Sequence, residues 1–519
     1  MSRTVETPGR ETTGVGCAPL RDGAPESLNF IDGEWRPSET GRTFASVNPA
    51  DTRDVVGRFQ QSSAADVAAA IRAATTAYPA WRRMPAPKRG EIMYRFGALL
   101  AEHKERIARA MTREMGKVIA EARGDVQEGI DIAYLMAGEG RRLFGETVPS
   151  ELPSKWAMSV REPMGAAGII TPWNFPIAIP CWKMMPALVA GNTVVFKPAS
   201  DTPHCATLLV ELMAEAGFPA GTVNLVTGGG DEVGTAIVES PDVPVISFTG
   251  NGETGRRIAG LAAKRLKRVA LELGGKNAIV VMDDADLDLA VEGILWSAFG
   301  TTGQRCTAAS RLVVQRGVLE SLLERLERGA AGLRLGDGLD AHTDVGPLIN
   351  AAAMEKVGRY VEIGRGEGEV VVGGVPATDR PGLGHGHFFA PTILRDVMPL
   401  ARVAQEEIFG PVLSVISVDT YEDAAMVVNS TRYGLSSSIF TSDTNTAFRA
   451  MHDFETGIVY VNAGTIGAET HLPFGGTKET GSGHREAGHA ALDTFTEWKS
   501  IYVDYSGRLQ RAQIDNQPR

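Results

Sequence analysis

Between residues 168 and 281 the chain repeats one texture: a short β-rich run, a turn, a helical stretch, then another run. The runs are Gly168-Ile169-Ile170, Thr193-Val194-Val195-Phe196, Val223-Asn224-Leu225-Val226, Val245-Ile246-Ser247-Phe248 and Ala278-Ile279-Val280-Val281. Segments such as 205–216 between them carry a helical pattern. Such alternation predicts βαβ units and a parallel sheet, so the fold class is α/β. A second alternating region runs from Leu312 to about Asp493, with candidate strands at 369–372, 412–415 and 457–461.

The flanks are simpler. Phe30-Ile31-Asp32-Gly33-Glu34-Trp35 reads as a hairpin and Asn48-Pro49-Ala50 as a turn. Residues 63–144 are helical by spacing (Val67, Ile71, then Ile92, Phe96, Leu99), with a proline break predicted from Tyr78 to Pro87. A strand at 159–161 has its expected partner far away, at 498–503. Residues 1–27 and those from Gly507 are polar and read as loose tails.

At 519 residues the chain is too long for one hydrophobic core. Its net charge of -11 argues against a general nucleic-acid or anionic-membrane binder. Cys17, Cys181, Cys205 and Cys306 are too few and too scattered for a disulfide framework or a zinc site, which fits a reducing cytoplasm. No secretory h-region and no membrane-length apolar run is visible.

Chemistry concentrates in residues 271–310. Leu271-Glu272-Leu273-Gly274-Gly275-Lys276 sets a carboxylate beside glycines, and Gly303-Gln304-Arg305-Cys306-Thr307 follows a small-residue run with a thiol. A thiol attacks only as thiolate, and a carboxylate that takes up a proton is the partner such chemistry needs. Two glycine-rich turns precede them, at 228–234 and 250–255. Gly250-Asn251-Gly252-Glu253-Thr254-Gly255 matches the GxGxxG dinucleotide fingerprint and opens a helix expected over 256–268. Glu272 stands where that fingerprint expects a ribose ligand, so it competes for two roles. The basic residues from Arg256 to Arg268 read as a solvated helix face.

The ordered set Thr171-Pro172-Trp173-Asn174-Phe175-Pro176, Lys197-Pro198, Phe248-Thr249-Gly250, Glu272-Leu273-Gly274-Gly275-Lys276, Gly303-Gln304-Arg305-Cys306, Glu406-Glu407-Ile408-Phe409-Gly410-Pro411 and Pro473-Phe474-Gly475-Gly476 resembles the aldehyde dehydrogenase superfamily over about residues 28–506. The resemblance implies a Rossmann-variant NAD(P)-binding domain (28–146 and 164–274) and a catalytic α/β domain (275–493). It also implies β strands for oligomerisation (147–163 and 494–506), and hence a homodimer or homotetramer. It makes Cys306 the nucleophile, Asn174 with the Cys306 N–H the oxyanion hole, Glu272 the base, and Lys183 and Glu486 a proton relay. Ile170, Thr171, Pro172, Trp173, Lys197, Gly230, Phe248, Thr249, Gly250, Asn251, Thr254, Leu273, Glu407 and Phe409 are implied for the cofactor, with Glu407 on the nicotinamide ribose. Asn251 departs from the Ser usual at its position. Ser200, where NAD-preferring relatives often carry Glu, implies that NADP is tolerated beside NAD, its hydroxyl donating to phosphate.

For the substrate, the resemblance points to Glu128, Phe175, Arg305, Thr307 and Phe474 and to a carboxylated semialdehyde of the α-aminoadipic, α-ketoglutaric or succinic kind. Arg305 is expected to grip the carboxylate, the alternative being an internal salt bridge. His471-Leu472-Pro473 departs from the α-aminoadipic group. A glutamate at 272 favours free acid as product. The other readings are a CoA-acylating or aldehyde-reducing enzyme of the same fold and a non-catalytic nucleotide-binding relative.

Overall fold

The structure is a computed structural model and describes residues 26–515. Residues 1–25, most of the expected N-terminal tail, and Cys17 within it lie outside the described residues. Glu26–Ser27 is not tail: it pairs in parallel with the strand Asp51–Gln60. The C-terminal residues are also less loose than their polarity implies. Gln510 is buried because its amide donates to the Pro153 carbonyl at 2.7 Å.

The first seven-stranded sheet runs in the order Arg268–Glu272, Val245–Thr249, Ala166–Ile170, Thr193–Lys197, Val223–Leu225, Asn29–Ile31, Glu34–Arg36. Its first five strands are parallel, and the predicted hairpin adds the antiparallel edge. Strand residues such as Val194, Val195 and Phe196 are wholly buried, because helices cover both faces. Register levels the carboxyl ends: Ile170 sits opposite Lys197 and Phe248, and Thr249 opposite Glu272. Ligands of open parallel sheets bind at this edge.

The run at 278–281 belongs not to this sheet but to a second one. There Asn277–Val281 lies between Ala309–Gln315 and Ser436–Phe440, in parallel with both. Only Leu273-Gly274-Gly275-Lys276 separates the last strand of the first sheet from Asn277–Val281. The thiol and the carboxylate thus lie where the two sheets meet. A third, antiparallel sheet joins Thr496–Asp504 to Lys155–Pro163 with Trp498 opposite Arg161, the distant pairing expected from sequence.

Two expectations are refined. The proline break expected within 78–87 falls at Met84-Pro85, between the helices Ala64–Arg83 and Ala86–Glu102, while Pro79 lies inside the first of these, which starts from a Ser63/Asp66 capping box. The Pro79 ring removes one backbone bond, but Trp81 beyond it is buried and donates to the Leu188 carbonyl at 3.1 Å, so tertiary packing carries the helix past it. The helix expected over 256–268 is instead Gly252–Ala263, and Arg268–Glu272 is a strand. Leu266 turns left-handed (φ 53°) between them, and the Arg268 guanidinium donates to the Asp493 and Thr496 carbonyls. Among the described residues no helix is long and apolar enough to cross a membrane.

Candidate active site

The helix Leu287–Phe299 delivers the chain to a contorted turn. Thr301 (φ 50°), Thr302 (φ 58°) and Gly303 (φ 67°) are all left-handed, a costly conformation for β-branched residues. Surrounding groups hold it. Glu121 accepts the Thr301 N–H at 2.8 Å and its hydroxyl at 3.1 Å, and Thr302 donates to the Gly346 carbonyl at 2.9 Å. A Cβ at 303 would collide with the Gly410 carbonyl. Three residues on, Cys306 emerges half-buried. Burial, then the charges of Glu272, Glu407 and Glu486, push its thiol up to about 12. The resting sulfur is therefore protonated, and activation requires a base or an incoming positive charge.

Glu272 ends its strand only 4% exposed, which rules out a surface role. One carboxyl oxygen packs against Gly475, and the other has no hydrogen-bond partner. Burial, reinforced by Glu486 and opposed by Lys183 and Arg485, holds this carboxyl well above the usual range. Lys183 and Glu486 form a buried ion pair beside it, and the Lys183 ammonium also donates to the Ser247 hydroxyl at 3.0 Å. Asn174 donates its amide to the Gln304 carbonyl at 3.1 Å, which places it against the nucleophile turn, while its buried Oδ1 is unpartnered.

A cleft of about 500 Å³ runs over the carboxyl ends of the first sheet to Cys306. Ile170, Thr171, Pro172, Trp173, Lys197, Gly230, Phe248, Thr249, Gly250, Asn251, Thr254, Leu273, Glu407 and Phe409 all line it, as does Asn174. At the thiol end the rings of Trp173 and Phe409 meet edge-on at 5.6 Å, and Glu407 accepts the Gly275 N–H at 3.0 Å. Beyond Lys197 the cleft continues between the packed helices Thr235–Glu239 and Gly252–Ala263, where Val238, Ile258 and Leu261 make an apolar slot. Lys197, its ammonium lowered to about 8 by burial, bonds the Pro198 carbonyl. Glycines at the turn, a lysine at a strand end and an apolar slot fit a dinucleotide. Asn251 caps its helix, accepting the Thr254 N–H at 2.8 Å. Ser200 does not line the cleft. Its proton is spent on the Gly228 carbonyl at 3.1 Å, so the expected phosphate donor is already engaged.

On the substrate side, the structure gives Arg305 its alternative arrangement. Nη2 pairs with Glu121 at 3.2 Å, Nε donates to the Thr301 hydroxyl at 2.8 Å, and the guanidinium lies over the rings of Phe175 and Trp296. Glu128 is half-buried near Arg305, its carboxyl raised to about 8 by burial and Asp125. Phe474 stacks edge-on with Trp182 at 5.0 Å, and the Thr307 carbonyl accepts from Thr465. Sequence reading missed the groups behind these: Glu121, Gln304 and the buried Lys117–Asp125 pair at 2.9 Å. Asp125 also accepts the Ala178 N–H at 2.7 Å, at the start of the helix Ala178–Ala190 that carries Lys183. One signal existed, since Glu121, Asp125 and Glu128 share a face of the helix Ile119–Glu139 at three-and-four spacing.

A parallel-sheet nucleotide cleft that ends on a cysteine, with a buried carboxyl and an amide drawn up beside it, defines an oxidoreductase working through a covalent thiol adduct. Comparison with known proteins is concordant. The model of the aldehyde dehydrogenase family matches residues 35–501. The chain is 41% identical over 476 residues to the alpha-ketoglutaric semialdehyde dehydrogenase of Bacillus subtilis, covering 92% of this chain and 98% of that protein. It is 41% identical over 474 residues to the NADP(+) succinate-semialdehyde dehydrogenase of Escherichia coli, covering 91% and 97%. The crystal structure of Staphylococcus aureus betaine aldehyde dehydrogenase in complex with NAD+ superposes with a TM-score of 0.91 at 34% identity, covering 93% and 96%. The chain belongs to the aldehyde dehydrogenase family, and NAD(P)-dependent oxidation of an aldehyde to the acid is its activity.

Proposed function

We propose that the aldehyde is a carboxylated semialdehyde, oxidised to the free diacid, and that NADP serves at least comparably to NAD. The observation that carries the chemistry is the convergence of the Cys306 thiol, the Asn174 amide and the Glu272 carboxyl at one end of the dinucleotide cleft. Cys306 releases its proton to solvent and, as thiolate, attacks the carbonyl carbon to give a thiohemiacetal anion, whose oxygen is held by the Cys306 N–H and the Asn174 amide. Bound nicotinamide supplies a hydride acceptor and a positive charge near the sulfur. With the hydride gone a thioester remains on Cys306, and Glu272 takes the proton of the water that hydrolyses it. Lys183 and Glu486 pass that proton on.

Lys197 would hold the adenosine ribose and Glu407 the nicotinamide ribose, with Phe409 flanking the ring and Trp173 lining the dinucleotide. Phe175, Thr307, Phe474 and Glu128 surround the substrate. Relatives that act on dicarboxylic semialdehydes support the substrate class. So does Arg305, which spends Nη2 and Nε internally and makes no Nη1 hydrogen bond among the described residues. The exposed Trp156, Trp498 and Tyr502 of the third sheet support homo-oligomerisation through it. Free Cys181, Cys205 and Cys306 support a cytoplasmic setting. We assign residues 28–146 and 164–274 to the cofactor domain, 275–493 to the catalytic domain, and 147–163 with 494–506 to oligomerisation.

The test is a panel of succinic, α-ketoglutaric and α-aminoadipic semialdehydes, betaine aldehyde and hexanal with each cofactor, followed by NAD(P)H absorbance. The dicarboxylic semialdehydes should give the highest kcat/KM with no added coenzyme A. Dependence on coenzyme A, or preference for hexanal, would refute the assignment.

A further inference from the structure

Binding of NADP requires positive charge at the adenosine end, and the structure restricts where it can come from. Among the described residues, the cations lining the cleft are Lys197, Arg257 and Lys356. Lys356 lies within electrostatic reach of Glu407, at the thiol end. Ser200 donates its hydroxyl to the Gly228 carbonyl and carries no charge of its own. Lys197 alone cannot neutralise a phosphate dianion, and burial already disfavours its charge.

Arg257 is the remaining cation, on the helix Gly252–Ala263 beside the apolar slot. Its Nη1 pairs with Asp231 at 2.6 Å and its Nη2 makes a longer bond to the Thr235 hydroxyl at 3.3 Å. Both side chains are exposed, 55% for Arg257 and 91% for Asp231, so the pair opens at little cost. Thr235 follows Gly234, whose Cα faces the Lys197 stem, so Arg257 and Lys197 reach adjacent residues of one turn. The sequence treated Arg257 with Arg256 as solvated helix surface. Both are exposed, but Arg256 pairs with Glu479 away from the lining residues, whereas Arg257 also lines the cleft.

Resting on the NAD(P) reading above, we propose that Arg257 is the ligand for the 2′-phosphate of NADP, and that Asp231 sets the NADP-to-NAD ratio. The guanidinium fork carries five donors in one plane, enough to keep Asp231 on Nη1 while Nη2 exchanges Thr235 for phosphate oxygens. Asp231 has two opposed effects. It aims the guanidinium into the cleft, and it stands as a like charge to the incoming phosphate. The neighbouring Glu232 is paired with Arg42 at 3.9 Å and is not among the residues lining the cleft.

The probes are adenosine 2′,5′-diphosphate and ADP, which carry the second phosphate on the 2′ oxygen and on the 5′ chain respectively, and neither needs an aldehyde. Arg257→Leu should weaken 2′,5′-diphosphate binding about 10- to 100-fold and ADP binding less than about 2-fold. Its kcat/KM for NADP should fall by the same factor, and that for NAD by less than about 2-fold. Asp231→Asn should tighten the 2′,5′-diphosphate and raise the NADP-to-NAD ratio. Equal weakening of both probes by Arg257→Leu would mean that the guanidinium covers the adenine instead, and an unchanged 2′,5′-diphosphate affinity would equally overturn the proposal. If no aldehyde yields NAD(P)H, the functional reading fails while the two titrations still decide the role of Arg257.

Discussion

Replacing Glu272 by Gln isolates one step of the reaction. Gln has the same shape, and the carboxyl oxygen that lacks a partner loses no contact on replacement. Burial raises this carboxyl well above the usual range, which favours its neutral form, the form that Gln imitates. Global stability should therefore hold. What disappears is the ability to accept a proton from water, an effect of about 10²–10⁴ in rate, or about 3–5 kcal/mol in barrier. Stopped-flow NAD(P)H absorbance should show one equivalent formed per subunit at near wild-type rate, followed by a steady state slower by that factor. Glu272 also sets the pH response. A raised carboxyl gains its basic form only as pH rises, so wild-type turnover climbs on its acid limb, and Glu272→Gln flattens that limb. The folded protein holds a proton there that the unfolded chain releases. The associated stability is thus full below the ordinary carboxylate range and is lost as pH rises through the folded value. Loss of the first equivalent together with turnover would refute the deacylation role.

Two further substitutions test the supports of the site. Asp125→Ala leaves the Lys117 ammonium unpaired in a fully buried position and uncaps the start of the helix Ala178–Ala190, so urea unfolding should show a loss of about 3–5 kcal/mol. Removing both charges with Lys117→Met and Asp125→Leu should cost less than Asp125→Ala alone. Gly303→Ala forces a Cβ onto the Gly410 carbonyl at φ 67° and should displace Cys306, lowering kcat about 10²-fold with cofactor affinity preserved, as read by NADPH fluorescence titration.

The parallel strands and the cleft-lining motifs were legible because each is local: β-rich runs declare themselves, and glycine turns announce close backbone approach. The strand Arg268–Glu272 was hidden because its first residues continue a basic helical pattern, and only the Arg268 contacts to residues 493–496 reveal the change. Side-chain pairings across the chain were likewise invisible, unlike the strand pairing of 498–503 with 159–161. Nothing near Arg305 names Glu121 as its partner, 184 residues away, and nothing near Ser200 says its proton goes to Gly228. Arg256 and Arg257 are chemically identical neighbours, and only helix phase separates the one that reaches the cleft.

Glu121 fastens the contorted backbone at Thr301 and also holds the Arg305 side chain. A single acidic group therefore ties the shape of the turn before Cys306 to the side chain proposed to meet the far end of the substrate. Redesign for a different aldehyde tail cannot treat Arg305 as an isolated knob. Any replacement there strands a buried anion that also braces the reactive sulfur, so selectivity and turnover should drift together unless position 121 is altered in the same step.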